Sequence, residues 1–184
     1  MILKKYFILY KTFLLFLIAF FFTYIFLTVF YQEYLNSFGG NKLDFITRMV
    51  AANTSQFLHF FGFNFKIEEN LSHSFIKLIF NHKYVARIIE GCNAVSVIIL
   101  FVSFVVSFSG KLKPTLLFIF GGSLFIYILN VIRIALLCVL MFHFPKQENF
   151  LHEVLFPLFI YGVVFILWGI WVLKFSKYAS NNTK

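Results

Sequence analysis

Three residue types that suit acyl transfer stand in three separate apolar segments: Cys92, Arg133 and His152. A thiolate can attack a carbonyl and form a thioester. A neighbouring imidazole can take the thiol proton and return it to a leaving amine. A fixed guanidinium can stabilise the oxyanion or hold a substrate carbonyl or carboxylate. Asn130 stands on the same helical face as Arg133, three residues earlier. Glu90 precedes the thiol, and Glu153 lies beside His152, where it orients the imidazole or complements a helix N-terminus.

Each residue also has a plainer reading. Cys92 in Arg87-Ile88-Ile89-Glu90-Gly91-Cys92-Asn93-Ala94 is equally a small hydrophobe where a strand-like segment meets a helix. Arg133 is a costly intramembrane charge facing a cavity or partner, or a side chain snorkelling to the headgroups. His152 is a site residue or a helix-start residue at the headgroups. His59, His73, His82 and His143 share no segment with another candidate. Cys138 is flanked by Leu136, Leu137, Val139 and Leu140, which favours packing.

The elements that must position these groups are membrane helices. The 184-residue chain is 61% hydrophobic and 12% charged, with mean hydropathy +0.88. Soluble domains average about 45–50% apolar and about 25% charged. Its 30 phenylalanines run through every apolar segment, as lipid-facing bulk. The +9 net charge is distributed as flanks of apolar runs rather than as one stripe, which excludes nucleic acid as a partner. Two cysteines at unrelated spacing give no metal site or disulfide framework, and no cofactor is implied.

Four segments approach spanning length, about 20 residues: 11–31, 92–108, 114–142 and 152–173. The sequence therefore predicts an all-α integral membrane protein with about four transmembrane helices. The first segment is read as a retained anchor over 1–31. Residues 32–91 form an extracytoplasmic connection, 92–175 a catalytic transmembrane core and 176–184 a tail. Within the connection, 43–63 reads as an amphipathic surface helix. Alternation at Phe63, Phe65 and Ile67, and the runs 74–80 and 84–90 around Asn81-His82-Lys83, read as a small β-hairpin insertion.

Lysines at 4, 5, 11, 111, 113, 174, 177 and 184 flank one side of these spans, whereas all seven acids lie in the other two connections. The positive-inside rule then puts both termini in the cytoplasm of a multi-pass inner-membrane protein. Depth follows from helical rise. Cys92 lies about 28 Å before Lys111, Arg133 about 30 Å beyond Lys113, and His152 about 33 Å before Lys174. All three reach the outer hydrocarbon boundary, while Cys138, about 37 Å beyond Lys113, lies outside that level.

The stretches Glu90-Gly91-Cys92-Asn93-Ala94, Asn130-Val131-Ile132-Arg133-Ile134 and His152, in that order, resemble the exosortase/archaeosortase family of membrane transpeptidases, most closely the short exosortase F subgroup. The resemblance covers roughly residues 84–175. It implies a nucleophilic Cys92, a substrate- or transition-state-positioning Arg133 and an acid/base His152. It also implies substrates that are exported, membrane-tethered proteins with a C-terminal sorting signal, and an envelope glycan or lipid as acceptor. The family commonly carries Cys-Ser-Gly or Cys-Ala-Gly where this chain has Cys92-Asn93-Ala94. The alternative class is a non-enzymatic membrane scaffold of an envelope or exopolysaccharide assembly system, with the polar residues as interhelical glue. A small transporter would need more polar residues inside the spans.

Overall fold

The computed structural model describes residues 10–39, 43–70, 74–108, 110–147 and 150–175, and the side chains of His152 and Glu153 are not among those described. The expected tail over 176–184 lies outside these residues, as do Lys4, Lys5, His73 and Glu148.

The chain is a membrane protein, and among the described residues three helices are long and apolar enough to cross a bilayer: α1 (Lys11–Asn36), α4 (Leu112–His143), and α5 (Phe156–Ile170) continued by a π-helical turn at Trp171–Phe175. Apolar segments must be helical there, because lipid offers no partner for a free backbone amide or carbonyl. The second expected span is a 13-residue apolar helix, α3 (Val95–Ser107). At about 20 Å it is shorter than the hydrocarbon core, about 30 Å thick. It begins later than the apolar run does, because residues 90–94 form a separate turn.

The 32 residues of α4 reach about 48 Å, so this helix outruns the bilayer. Its far end supports the connection. Helix α2 (Phe45–Phe60) buries Thr47, Val50, Ala51, Thr54 and Leu58, a stripe at helical spacing. It packs against α4 and the sheet, and Asn53 Nδ2 donates to the Tyr127 hydroxyl at 2.7 Å. The sheet has three antiparallel strands in the order β1 (Phe65–Asn70), β2 (Phe75–Phe80), β3 (Lys83–Ile88), rather than the hairpin alone.

Phe65 pairs with Phe80, and Phe80 with Lys83. The β2–β3 turn is the two-residue Asn81-His82, both at positive φ (47° and 64°). That backbone matches strand twist and is tolerated by asparagine. The register shifts between Leu78 and Ile79, so β3 carries an extra residue at Val85. The bulge lets both Val85 and Ile88 face the core. There, Phe65, Ile76, Leu78 and Phe80 pack with Ile134, Ala135 and Cys138 of α4.

In the membrane layer, α1 has no buried residue. It packs on α3 through Phe16, whose ring lies 5.8 Å from that of Phe104 and 4.6 Å from that of Phe108. Trp171 is fully buried and donates from Nε1 to the Phe108 carbonyl at 3.2 Å, joining α5 to the end of α3.

Candidate functional site

Strand β3 leads through Ile89 into a 3-10 turn, Glu90–Cys92, closed by the Cys92 amide donating to the Ile89 carbonyl at 2.9 Å. Cys92 is half-buried against the core beneath the sheet. It ends this turn rather than starting the following helix, which begins at Val95, so the expected helix N-terminus at Cys92 is corrected. Between them, Ala94 adopts φ 62° and ψ 6°, the left-handed conformation. An L-residue with a Cβ is disfavoured there by about 1–2 kcal/mol.

The turn is held from two sides. On one side, Asn130 is fully buried on α4, and its Nδ2 donates to the Cys92 carbonyl at 2.8 Å. Its Oδ1 accepts from Arg133 Nη1 at 3.5 Å, one helical turn further. On the other side, Asn93 is 2% exposed. Its Nδ2 donates to the Tyr31 hydroxyl of α1 at 2.7 Å and to Thr47 Oγ1 of α2 at 3.1 Å. Thr47 Oγ1 in turn donates to Asp44 Oδ2 at 2.5 Å. Asp44 caps α2 by accepting from the Thr47 amide at 3.0 Å.

Arg133 lies between α4 and α5. Its guanidinium carbon is 5.9 Å from the Phe156 ring centroid, a cation–π approach. Among the described residues, its Nε is buried with no hydrogen-bond partner. A cleft of about 210 Å³ opens beside it, lined by Ile132, Leu136, Leu155, Phe156 and Phe159. This placement between helices, with Nη1 on Asn130, differs from a side chain snorkelling outward.

His152 lies in the π-helical turn Phe150–Leu155, directly before Phe156, so its backbone is within one or two turns of the Arg133 contact. Expected to open the fourth helix, it sits instead in this wider turn. Glu153 occupies the same turn. Burial, and then the nearby Asp44 carboxylate, push the Glu90 carboxyl above the usual glutamate range.

The geometry thus brings Cys92, Asn130 and Arg133 together and carries the His152 backbone to the same end of α5. Cys138 is fully buried in the core under the sheet, and both cysteines are free thiols. Elsewhere, His82 pairs with Asn64, and His143 Nδ1 lies 2.8 Å from the Val139 carbonyl. Among the described residues no group of three or more histidine, cysteine or acidic side chains forms a metal cluster.

Sequence reasoning missed Tyr31, Asp44, Thr47 and Asn93 as parts of the site. One local signal was readable: Asp44, three residues before Thr47 and ahead of an apolar-periodic run, is a helix-start pattern. The partnership with Asn93, 46 residues away, was not.

A family model described as transmembrane exosortase matches residues 6–169. The match begins well before the 84–175 region that carried the resemblance and covers that region as far as residue 169. No curated protein and no solved structure matches the chain.

Proposed function

The chain belongs to the transmembrane exosortase family, and from that premise we propose that it is a membrane-embedded cysteine peptidase/transpeptidase, closest to the exosortase F subgroup. It cleaves C-terminal sorting signals of exported, membrane-tethered proteins at the outer surface of the cytoplasmic membrane, with both termini cytoplasmic. It then transfers the new C-terminus to an envelope glycan or lipid acceptor.

The observation that carries this reading is Asn130 joining the Cys92 backbone to the Arg133 guanidinium. In the proposed chemistry the Cys92 thiolate attacks the scissile carbonyl. The negative charge moves to the carbonyl oxygen, where Arg133 offers compensating charge in a low-dielectric setting. Collapse breaks the peptide C–N bond, leaves a thioester on Cys92, and requires a proton for the departing amine. His152 is assigned as its donor, having taken the thiol proton at the start. The acceptor nucleophile then attacks the thioester and regenerates the thiol.

A substrate anchored in the same bilayer gains a high effective concentration at this depth. Its apolar anchor can lie along α4 and α5, whose Leu136, Leu158, Phe159 and Phe165 are exposed.

Full-length Cys92→Ala, expressed with exported proteins carrying a C-terminal motif, apolar helix and basic tail, should insert normally and leave them unprocessed. Cys138→Ala should process them at the wild-type level. Normal processing by Cys92→Ala would contradict the proposal and favour a scaffold.

A further inference from the structure

The polar network beside Cys92 demands more explanation than a helix start needs. Asn93 Oδ1 accepts the Val95 amide at 3.0 Å, an Asx turn that starts α3. That accounts for the carbonyl half of the side chain. The amide half spends both donors elsewhere, on Tyr31 of α1 and Thr47 of α2.

The second path has a consistent direction. Asn93 Nδ2–H donates to the Thr47 hydroxyl, which donates its single proton to Asp44. Aligned donors polarise one another, and the carboxylate at the end strengthens the row. Asp44 and Thr47 are fully buried. Buried polar groups of this kind fix one arrangement, because every alternative leaves a donor or acceptor unmade.

The α1 contact includes the Phe16 ring on Phe104 and Phe108, and Tyr31 adds a polar bond that fixes its register. Apolar ring contacts alone allow sliding; a hydroxyl bonded to a buried amide does not.

We propose that Asn93 is a positioning residue that fixes the Cys92 turn against the first membrane helix and the surface helix, so that Tyr31, Thr47 and Asp44 set the orientation of the thiol toward Arg133. This deepens the reading of Cys92 as the nucleophile and rests on it. The N-terminal region then belongs to the active site rather than serving only as an anchor.

The test uses full-length protein in nanodiscs, in a Cys138→Ala background, with p-nitrophenyl acetate as probe. The Cys92 thiolate displaces p-nitrophenolate and keeps the acetyl group as a thioester, so one p-nitrophenolate per protein appears as a burst. Asn93→Ala is expected to slow the burst at least tenfold and Tyr31→Phe at least threefold, with the double variant no slower than Asn93→Ala. Thr47→Ser is expected to keep the wild-type rate and Thr47→Val to lose it. A melting profile measured alongside separates slow acylation from unfolding, and if Asn93→Ala does not fold, Tyr31→Phe decides.

Wild-type burst rates in Tyr31→Phe and Thr47→Val, with the burst absent in Cys92→Ala, would overturn the positioning role and leave the nucleophile intact. A full burst in Cys92→Ala would overturn the nucleophile and the positioning role together.

Discussion

Asn130 Nδ2 donates a 2.8 Å hydrogen bond to the carbonyl oxygen of Cys92, across 38 residues of sequence. The same side chain accepts from Arg133, so one buried amide sets the distance between a thiol-bearing turn and a guanidinium. Replacing Asn130 with Leu leaves the Cys92 carbonyl without this partner and frees Arg133. Losing such a bond costs about 1–3 kcal/mol of stability. Misplacing reacting groups by about 1 Å can cost about 100-fold in rate. Asn130→Leu is therefore expected to lose processing by about 100-fold while the folded protein persists, measured by substrate maturation and thermal melting side by side. Equal maturation rates in the two proteins would remove Asn130 from the site.

Ala94 holds a conformation that glycine adopts freely, at φ 62°. Relief of about 1–2 kcal/mol of strain is offset by about 0.4–1 kcal/mol of unfolded-state entropy for glycine. Ala94→Gly is expected to raise stability by up to about 1.6 kcal/mol with the thiol turn intact. Ala94→Val should lower it. Thermal melts of the two variants check the sign, and a destabilised Ala94→Gly would mean that another interaction holds this residue.

Gly122 and Gly121 offer a paired test of the membrane packing. A Cβ at Gly122 would meet Phe101 Cζ at 2.3 Å and Cε1 at 2.7 Å, with Phe101 fully buried between α3 and α4. A Cβ at Gly121 meets nothing within 4 Å. Gly122→Ala should destabilise by about 1–3 kcal/mol, whereas Gly121→Ala should be neutral or slightly stabilising through helix propensity. Heat-induced aggregation in detergent distinguishes them. Equal behaviour would contradict the α3–α4 contact.

Glu90 gives a pH dependence with a defined sign. Its carboxyl is pushed up by burial first and by the Asp44 carboxylate second. The folded state therefore binds the proton more tightly than the unfolded chain. The associated stability is fully present below the unfolded value, about 4.3, and is lost as pH rises through the elevated folded value. Glu90→Gln should remove this dependence and leave the protein relatively more stable at neutral pH. The check is a comparison of melting temperatures at pH 4 and pH 7 in both proteins; identical pH profiles would show that Glu90 is not the group concerned.

What the sequence reveals follows interaction range. The β2–β3 turn was readable because Asn81-His82-Lys83 interrupts two largely apolar runs, and local turn chemistry determines the outcome, although Lys83 already belongs to β3. Strand β1 showed only as alternation at Phe63, Phe65 and Ile67, since four of its six residues, Lys66, Glu68, Glu69 and Asn70, are charged or polar. The span at Cys92 looked longer than it is, because hydropathy does not register a left-handed residue at Ala94. Likewise, nothing in the apolar pattern around His152 separates a π-helical turn from a regular one. Helical rise fixes the depth of Cys92, Arg133 and His152 but carries no lateral coordinate. The lateral information resides in Asn130 and Asn93, and in partners tens of residues away. Asp44 and Tyr31 were legible only as a polar residue in a surface helix and an aromatic at a span end.

The most direct measurement of the central claim is the intact mass of the full-length protein after co-expression with a membrane-tethered protein bearing a C-terminal sorting signal, followed by peptide mapping. The account expects a hydroxylamine-sensitive thioester between the truncated substrate C-terminus and Cys92, absent in Cys92→Ala and retained in Cys138→Ala. An adduct on Cys138, or substrate cleavage that proceeds unchanged in Cys92→Ala, would contradict it.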